Sequence, residues 1–368
     1  MSKKKKKANK KTVIKRVFIS ILAVILILVL GVALGVAPFI VDYYKNAYDG
    51  KGIVNRDDNY VMPDQDEQPD EYKDLILSED EVGTDLDSAK EPLAKDPNAI
   101  GVYGKTPIYK VKQKDPDVEN ILVLGTDSRD LKKERGRSDS IIVMSLNKKT
   151  GKIKMVSILR DSLVPIEGHG WNRINAAYSF DGIGLAVNTV NQLFNLDIQR
   201  FAVLDFTGVQ SFINQVGGVD IKITAAEAKY LNNRHLSKKE FEAGLCHMDG
   251  KVALEYMRIR KIDSDFKRTG RQRNVIQALA TQILEEKTMG EIYYLAGVAT
   301  EMVRTNIPLT ELTSIITMVV QKNGTSLTFD SQHIPYSDSF VNKYYNGMAI
   351  KSFNIDEAAT RMNKFLYE

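Results

Sequence analysis

Residues 140–161 read SIIVMSLNKKTGKIKMVSILRD, and this stretch predicts two neighbouring strands of a sheet. Two apolar runs, 140–147 and 152–161, flank the short turn KKTG and have the composition of buried strands. A turn this short joins strands that are antiparallel neighbours. The earlier run NILVLGT, residues 120–126, reads as another buried strand. If it pairs antiparallel with the strand at 140–147, the three strands alternate in direction.

This alternation brings three strand ends to one edge of the sheet, and charged residues collect there. They are Asp127, Arg137, Asp139 and Arg160. Two carboxylates beside two guanidiniums suit a metal ion together with a phosphate group. A pair of structural salt bridges is the alternative interpretation, and the spacing alone does not separate the two.

Downstream of these strands, helical and extended patterns alternate. The run GIGLAVNTVNQLFNL carries a helical apolar stripe at Ile183, Val187, Val190 and Phe194. RFAVLDF has the composition of a strand, and TGVQSFINQVGGVDIKI reads as helix, glycine stop and strand. The order predicts an α/β fold in which helices cover a central sheet.

A basic stretch, RIRKIDSDFKRTGRQR at 258–273, lies between two apolar, helix-like runs. Arg258 and Arg260 point the same way if their segment is extended. Arg268 and Gln272 are four residues apart at the start of the next helix and therefore share a face. Guanidiniums match phosphate oxygens bidentately, and a helix N-terminus favours an anion. The stretch therefore predicts a site for a concentrated negative charge such as a diphosphate.

The N-terminus predicts a membrane anchor. Residues 3–16 carry nine Lys or Arg and no acid, and residues 17–41 carry no charge. At about 1.5 Å per residue, that helix is long enough to cross a hydrocarbon core of roughly 30 Å. The basic flank favours the cytoplasm, so the rest of the chain is expected outside the cell. A cleaved signal peptide is the alternative, which the length of the run and Pro38 after Ala37 disfavour.

We divide the chain into a cytoplasmic basic tail (1–16), a transmembrane helix (17–41), an acidic extracytoplasmic linker (42–110) and a globular catalytic domain (111–368). The linker is acidic, contains prolines and shows no sustained period, which is typical of a spacer. Cys246 is the only cysteine, so no intrachain disulfide can form. We expect it to be a small buried apolar side chain.

From about Lys110 to Glu368 the chain resembles the LytR-CpsA-Psr family of cell-wall phosphotransferases. The resemblance rests on segments that occur in family order: NILVLGTDSR, RSDSIIVMSLN, VSILRDS, RINAAYSFDG, VGGVDIKI, GLCHMDGKVALEYMRIR and DSDFKRTGRQRNVI. It implies a mixed central sheet with helices on both faces, and an enzyme anchored in the membrane of a Gram-positive-type envelope. Members of this family transfer a glycopolymer from a polyprenyl diphosphate carrier to a peptidoglycan hydroxyl, forming a phosphodiester and releasing polyprenyl phosphate. Whether the polymer is teichoic acid, capsule or another glycan stays open.

Motif by motif, the resemblance implies that Asp127 and Asp139 hold Mg²⁺ or Mn²⁺. It implies a catalytic, diphosphate-binding set formed by Arg137, Arg160, Arg258, Arg260, Arg268 and Gln272. Further substrate-binding residues are expected at Arg129, Arg173 and Arg271.

The chain departs from the family pattern at three positions. Leu159 stands in place of the usual proline, Ser264 in place of the usual glycine, and Asn188 where some members have a helix lysine. Asp161 and Asp265 are candidates for the base that deprotonates the acceptor hydroxyl, or for residues that only orient an arginine.

Two other functional classes fit parts of the sequence: a membrane-tethered regulator that binds nucleic acid, and a non-enzymatic wall-polymer binding protein. The basic stretch lacks interleaved aromatics, with only Tyr256 and Phe266 nearby. An external domain also has no nucleic acid to bind. Acids paired with arginines at one sheet edge favour an enzyme, whose expected partners are the carrier-linked glycopolymer, peptidoglycan and the lipid bilayer.

Overall fold

A computed structural model of the chain describes residues 44–45, 48, 53–54, 106–126, 138–299, 302–321 and 328–368. The predicted cytoplasmic tail and the predicted transmembrane helix lie outside these residues. None of the helices in the described ranges is long and apolar enough to cross a membrane.

Strands dominate the described residues up to Arg173, and from Ala176 to Arg258 helices and strands alternate as the sequence predicts. The strands are β1 (Ile53–Val54), β2 (Ile108–Tyr109), β3 (Val118–Thr126), β4 (Ser138–Asn147), β5 (Lys152–Ile158), β6 (Leu163–Ile166), β7 (Gly170–Arg173), β8 (Arg200–Asp205), β9 (Val219–Ile223), β10 (Gly244–Met248), β11 (Val303–Thr305), β12 (Thr328–Ile334), β13 (Phe340–Tyr345) and β14 (Met348–Phe353). The helices are α1 (Ala176–Phe194), α2 (Phe206–Val216), α3 (Ala225–Asn233), α4 (Gly250–Arg258), α5 (Asp265–Glu286), α6 (Met289–Ala299), α7 (Leu309–Gln321) and α8 (Ile355–Tyr367).

The central sheet has the strand order β11-β8-β3-β4-β5-β12. The pairs β3–β4 and β4–β5 are antiparallel, whereas β3–β8 and β5–β12 are parallel. Gly125 pairs with Ser140, and Ile141 pairs with Ile158. The end of β3, the start of β4 and the end of β5 therefore share one edge, which confirms the predicted alternation. We call this edge the charged edge.

One face of the sheet packs on α1 and α8. Alternate residues of each strand point to the same face, and Leu122, Val143 and Val156 lie in a core with residues of both helices. The predicted helical stripe, Ile183, Val187, Val190 and Phe194, is buried in that core.

The other face packs on α5 and α7. Here Ile121, Val123 and Met155 lie in a core with Ile276 of α5 and Leu312 of α7. Several members of this cluster are only partly buried. Helices thus cover both faces of a mixed sheet, as the sequence and the family resemblance imply.

A lateral cluster built from α2, α3, α4, β9 and β10 packs beside this sheet and contacts the first half of α5. Val275 of α5 lies in the lateral cluster, whereas Ile276 faces the sheet. The position of α5 is therefore fixed from two sides. Cys246 on β10 is half-buried, not fully buried as expected, and its Sγ lies 3.1 Å from the backbone oxygen of Glu242.

Candidate active site

An ion pair joins β4 to the residue just beyond β5 at the charged edge. Arg160 Nη1 donates to Asp139 Oδ1 at 2.6 Å, and both side chains are largely buried. Burial alone would raise the pKa of Asp139, but the guanidinium of Arg160, with help from Arg268 and Arg260, holds that pKa below its usual value. Asp139 is therefore a stable anion at neutral pH.

The first turns of α5 place Arg268 beside Asp139, and Gln272 follows one turn later on the same helix. Arg268 is 2% exposed, and its Nη2 donates to Asp265 Oδ2 at 2.8 Å and to the backbone oxygen of Asp139 at 3.4 Å. Gln272 is also buried. Arg268 Nε and Gln272 Oε1 are buried without a hydrogen-bond partner among the described residues. Polar atoms in that condition are costly unless a ligand or water satisfies them.

Arg258 and Arg260 do not share one extended segment as predicted, and their side chains differ in burial. Arg258 is the last residue of α4 and is exposed, whereas Arg260 is half-buried. Burial has the largest effect on the pKa of Asp139 and on that of Arg268, and closer partners also contribute. The charge of Arg260 lowers both pKa values. The structure therefore brings Arg260 to the charged edge and leaves Arg258 at the neighbouring surface.

Arg271 has a structural role in place of the predicted substrate contact. Its Nε donates to Glu227 Oε1 at 2.6 Å and its Nη1 to the backbone oxygen of Ile259 at 3.1 Å. Both Nη1 and Nη2 also bond the carboxylate of Asp263. The side chain is thus used to attach α5 to α3 and to the loop that carries Arg260.

Arg173 lies close to the charged edge. It is buried on β7, and burial lowers its pKa. Just after it, the backbone amide of Asn175 donates to the backbone oxygen of Arg160 at 3.3 Å. Asn188, by contrast, accepts from the Tyr109 amide and donates to the Pro107 oxygen. This departure from the family pattern therefore serves to hold β2 on α1.

Asp127, Arg129 and Arg137 lie outside the described residues, so their roles stay predictions. Their chain neighbours Thr126 and Ser138 are cross-strand partners at the charged edge.

Sequence reasoning missed a second polar group on the α5 side of the sheet. Arg273 is buried and donates from Nη1 to Ser157 Oγ at 2.5 Å. His333 on β12 is the cross-strand partner of Ser157. The available signal was a serine inside the apolar run VSIL, together with an arginine one position from the predicted ligand Gln272.

The two candidate bases have different surroundings. Asp265 is paired with Arg268 and so orients that arginine. Asp161 is half-buried, and burial together with the nearby charge of Asp265 raises its pKa. Its Oδ1 accepts no hydrogen bond within the described ranges.

Asp139 offers one ligand suited to a divalent cation. Its Oδ1 is bound to Arg160, and its Oδ2 accepts no hydrogen bond from the described residues. Mg²⁺ is usually held by one or two carboxylates together with substrate phosphates and water. Within the described ranges no group of three or more His, Cys, Asp or Glu residues could hold a metal. The residues present therefore fit an ion that is held jointly with a phosphorylated substrate.

Part of the basic stretch is internal, while Arg258, Lys261 and Lys267 are exposed. Arg268, Arg271 and Arg273 are buried, so they are not displayed on a surface as non-specific binding of nucleic acid requires. The fold is an α/β fold, and its site, where a mixed sheet meets a helix N-terminus, has the charge and the unpaired buried donors that suit a compact, strongly negative group.

Residues 84–364 match the LytR_cpsA_psr family, and the chain belongs to this family. The match begins inside the segment predicted as the linker.

The chain is 35% identical over 251 residues to the polyisoprenyl-teichoic acid–peptidoglycan teichoic acid transferase TagU of Oceanobacillus iheyensis, covering 66% of this chain and 74% of that one. It is 33% identical over 234 residues to TagV of Bacillus subtilis, which carries the same functional name, covering 61% and 59%. The chain thus spans less than two thirds of the TagV length.

The crystal structure of B. subtilis TagV has a TM-score of 0.56 at 28% identity, covering 68% of this chain and 98% of that one. TagT, also from B. subtilis, with bound octaprenyl pyrophosphate lipid, has a TM-score of 0.53 at 22% identity, covering 70% and 94%. The latter likeness shows the fold alone.

Proposed function

We propose that this chain transfers a glycopolymer from a polyprenyl diphosphate carrier to a hydroxyl of peptidoglycan. The product is a phosphodiester, and polyprenyl phosphate is released. The names of TagU and TagV support this reaction, with teichoic acid as the polymer. The observation that carries the proposal is the convergence of Arg160, Arg260 and Arg268 on Asp139 at the charged edge. Gln272 lies one turn further along α5 than Arg268.

The lipid part of this substrate needs an apolar surface next to the diphosphate site. The sheet face toward α5 and α7 supplies one, because partly buried side chains such as Ile153, Leu204 and Phe329 line it. Helix α5 packs on this apolar face through Ile276 and also carries Arg268 and Gln272. We place the polyprenyl chain between this sheet face and the two helices.

The reaction is an in-line displacement at the phosphorus that carries the glycopolymer. The acceptor oxygen forms a new P–O bond while the bond to the lipid-side phosphate breaks, and the acceptor proton passes to a base. Arg160, Arg260 and Arg268 stabilise the charge that builds up on the phosphoryl oxygens. Arg160 and Arg268 are pre-oriented, because Asp139 pairs with Arg160 and Asp265 pairs with Arg268.

Asp139 and Asp127 would hold the divalent cation. When bound, Mg²⁺ or Mn²⁺ neutralises diphosphate charge and helps the lipid phosphate leave. The lowered pKa of Asp139 keeps it ionised as a ligand and makes it a poor base.

We further propose that residues 17–41 anchor the chain, with the N-terminus in the cytoplasm and the catalytic domain outside. The basic flank and the uncharged run support this topology. A reporter fused after Glu368 that is active only outside the cell would agree with it, and activity in the cytoplasm would contradict it.

The transfer itself is tested with the full chain, a polyprenyl-diphosphate-linked teichoic acid precursor and peptidoglycan strands. We expect covalently attached polymer and free polyprenyl phosphate in equal amounts, both detected by mass spectrometry. The exposed, distant Asp220 provides a matched control: Asp220→Ala should transfer as the wild type does, and Asp139→Ala should not. Binding of the precursor without transfer by the wild type would leave a wall-polymer binding protein.

A further inference from the structure

Arg273 stands over two neighbouring strands on the apolar side of the sheet. Ser157 and His333 are cross-strand partners on β5 and β12. They point to the α5 face, because Met155 and Phe329, which lie at even spacing from them on the same strands, pack there. Arg273 reaches this point from α5 and donates to Ser157 Oγ at 2.5 Å. The three side chains therefore line one internal position.

The guanidinium at this position is buried without a counter-charge. Arg273 is 7% exposed, and its one hydrogen bond within the described residues goes to a neutral hydroxyl. Burial lowers its pKa to about 10, with no carboxylate acting to raise it. The side chain therefore keeps its charge at neutral pH. An unpaired buried cation costs folding free energy, so an anion that pairs with it gains a corresponding advantage.

Several buried polar atoms of Arg273 and its neighbours have no hydrogen-bond partner among the described residues. Arg273 Nε, His333 Nε2 and Gln272 Oε1 are all buried without a hydrogen bond from the described residues. In its Nε2–H tautomer, His333 joins Arg273 Nε and the Ser157 hydroxyl as a third donor. Such a set matches the oxygens of a phosphate.

This group of side chains lies further into the sheet than the charged edge. Ser157 faces Ile142 on β4, three residues further into the sheet than Asp139. A bulge makes Asp139 the extra residue between Ser138 and Ser140, so the regular rise is counted from Ser140. At about 3.3 Å per residue, Ser157 lies roughly 7 Å inward from Ser140, the neighbour of Asp139. Arg268 and Gln272 lie between the two on α5. A lipid diphosphate held at the charged edge, with its chain along the apolar face, points its lipid-side phosphate toward Arg273.

We propose that Arg273, Ser157 and His333 form a second anion subsite, which binds the lipid-side phosphate and retains it as the departing polyprenyl phosphate. This proposal rests on the proposed transferase function. It assigns the two ends of the diphosphate to different groups: the glycopolymer-side phosphate to the charged edge, and the lipid-side phosphate to the internal subsite.

The test uses the full chain in detergent, with farnesyl phosphate, farnesyl diphosphate and inorganic phosphate as probes in calorimetric titrations. Arg273→Gln should weaken farnesyl phosphate and farnesyl diphosphate by a similar factor, about tenfold or more, as expected for a lost charge-assisted hydrogen bond. Arg260→Ala should weaken the diphosphate more than the monophosphate. Arg234→Gln, at an exposed arginine that follows the C-terminal end of α3, should change neither.

Thermal unfolding without ligand separates a binding role from a structural one. Removing an uncompensated buried charge should leave the melting temperature of Arg273→Gln unchanged or raised, while the stabilisation by farnesyl phosphate shrinks. If Arg273→Gln does not fold, Ser157→Ala decides, since it removes one donor and one small group. It should weaken farnesyl phosphate several-fold.

Wild-type affinity for farnesyl phosphate in the folded Arg273→Gln variant, or in Ser157→Ala where that variant decides, would overturn the subsite and leave the transferase proposal standing. Inorganic phosphate that binds as tightly as farnesyl phosphate would overturn the assignment to a lipid phosphate. A wild-type chain that binds neither lipid would overturn both proposals.

Discussion

Arg271 Nε lies 2.6 Å from Glu227 Oε1, so a residue of the basic stretch is bound to the first turn of α3 and not to the open site. Glu227 is also the acidic member of a capping box with Thr224. One carboxylate therefore begins α3 and holds α5. Since Arg271 also bonds Ile259 and Asp263, this pair fixes the loop that presents Arg260.

Arg271→Ala should be strongly destabilising. The change leaves Glu227 with its charge largely buried and without its guanidinium partner, which costs about 3 kcal/mol or more of unfolding free energy. Chemical denaturation measures it. Arg234→Ala removes an exposed arginine that pairs with Glu255 and should cost less than about 1 kcal/mol. Equal losses in the two variants would show that the Arg271 network is not a stabilising element.

The same network predicts a dependence of stability on pH. Burial would raise the pKa of Glu227, but hydrogen bonds from Thr224 and Arg271 outweigh it and lower that pKa. Because the folded pKa lies below the unfolded one, the stabilisation is complete above the ordinary glutamate pKa of about 4.3 and is lost as the pH falls through the folded pKa. The difference in unfolding free energy between wild type and Glu227→Gln should be constant near neutrality and shrink in acid. A difference that grows in acid would contradict this.

Arg260 and Arg268 should respond differently to removal. Both are expected to bind the diphosphate, and losing either should cost about 2 kcal/mol or more of binding free energy, measured by titration with a polyprenyl diphosphate analogue. The sequence alone suggests that each lines a wet pocket mouth, so that either alanine variant stays folded. The structure corrects this for Arg268, which is 2% exposed and pairs with Asp265.

Arg260→Ala should therefore bind the diphosphate analogue more weakly at a nearly unchanged melting temperature. Arg268→Ala should show both weaker binding and a lower melting temperature. Wild-type affinity in Arg260→Ala would remove it from the diphosphate set.

The sequence predicted those parts of the molecule that depend on local periodicity. A short turn fixed the direction of β4 against β5, and the four-residue spacing of Arg268 and Gln272 placed them on one face of α5. Both arrangements follow from backbone geometry.

The roles of Arg271 and Arg273 could not be predicted in this way. Two residues apart on one helix, they point to different sides. The first meets Glu227, 44 residues away in sequence, and the second meets Ser157, 116 residues away. Which partner each one finds depends on how the lateral cluster and the sheet pack on α5, and spacing along the chain carries no record of that packing.

Binding of the divalent cation should depend on the diphosphate. Asp139 is already balanced by Arg160 and by the nearby charges of Arg268 and Arg260, so the protein alone has little need of a cation. A bound diphosphate adds negative charge and oxygen ligands, and only then does a hard cation gain a coordination shell. Magnesium should therefore bind weakly to the chain by itself and clearly tighter with farnesyl diphosphate present, as measured by calorimetry.

Asp139→Ala should lose this gain and abolish transfer while keeping much of the lipid affinity, because the arginines still hold the diphosphate. Asp220→Ala, at an exposed aspartate paired with His247, should keep both. Transfer that proceeds undiminished in a chelator would rule out a metal-assisted step, and equal magnesium affinity with and without the lipid would show that the ion is not shared with the substrate.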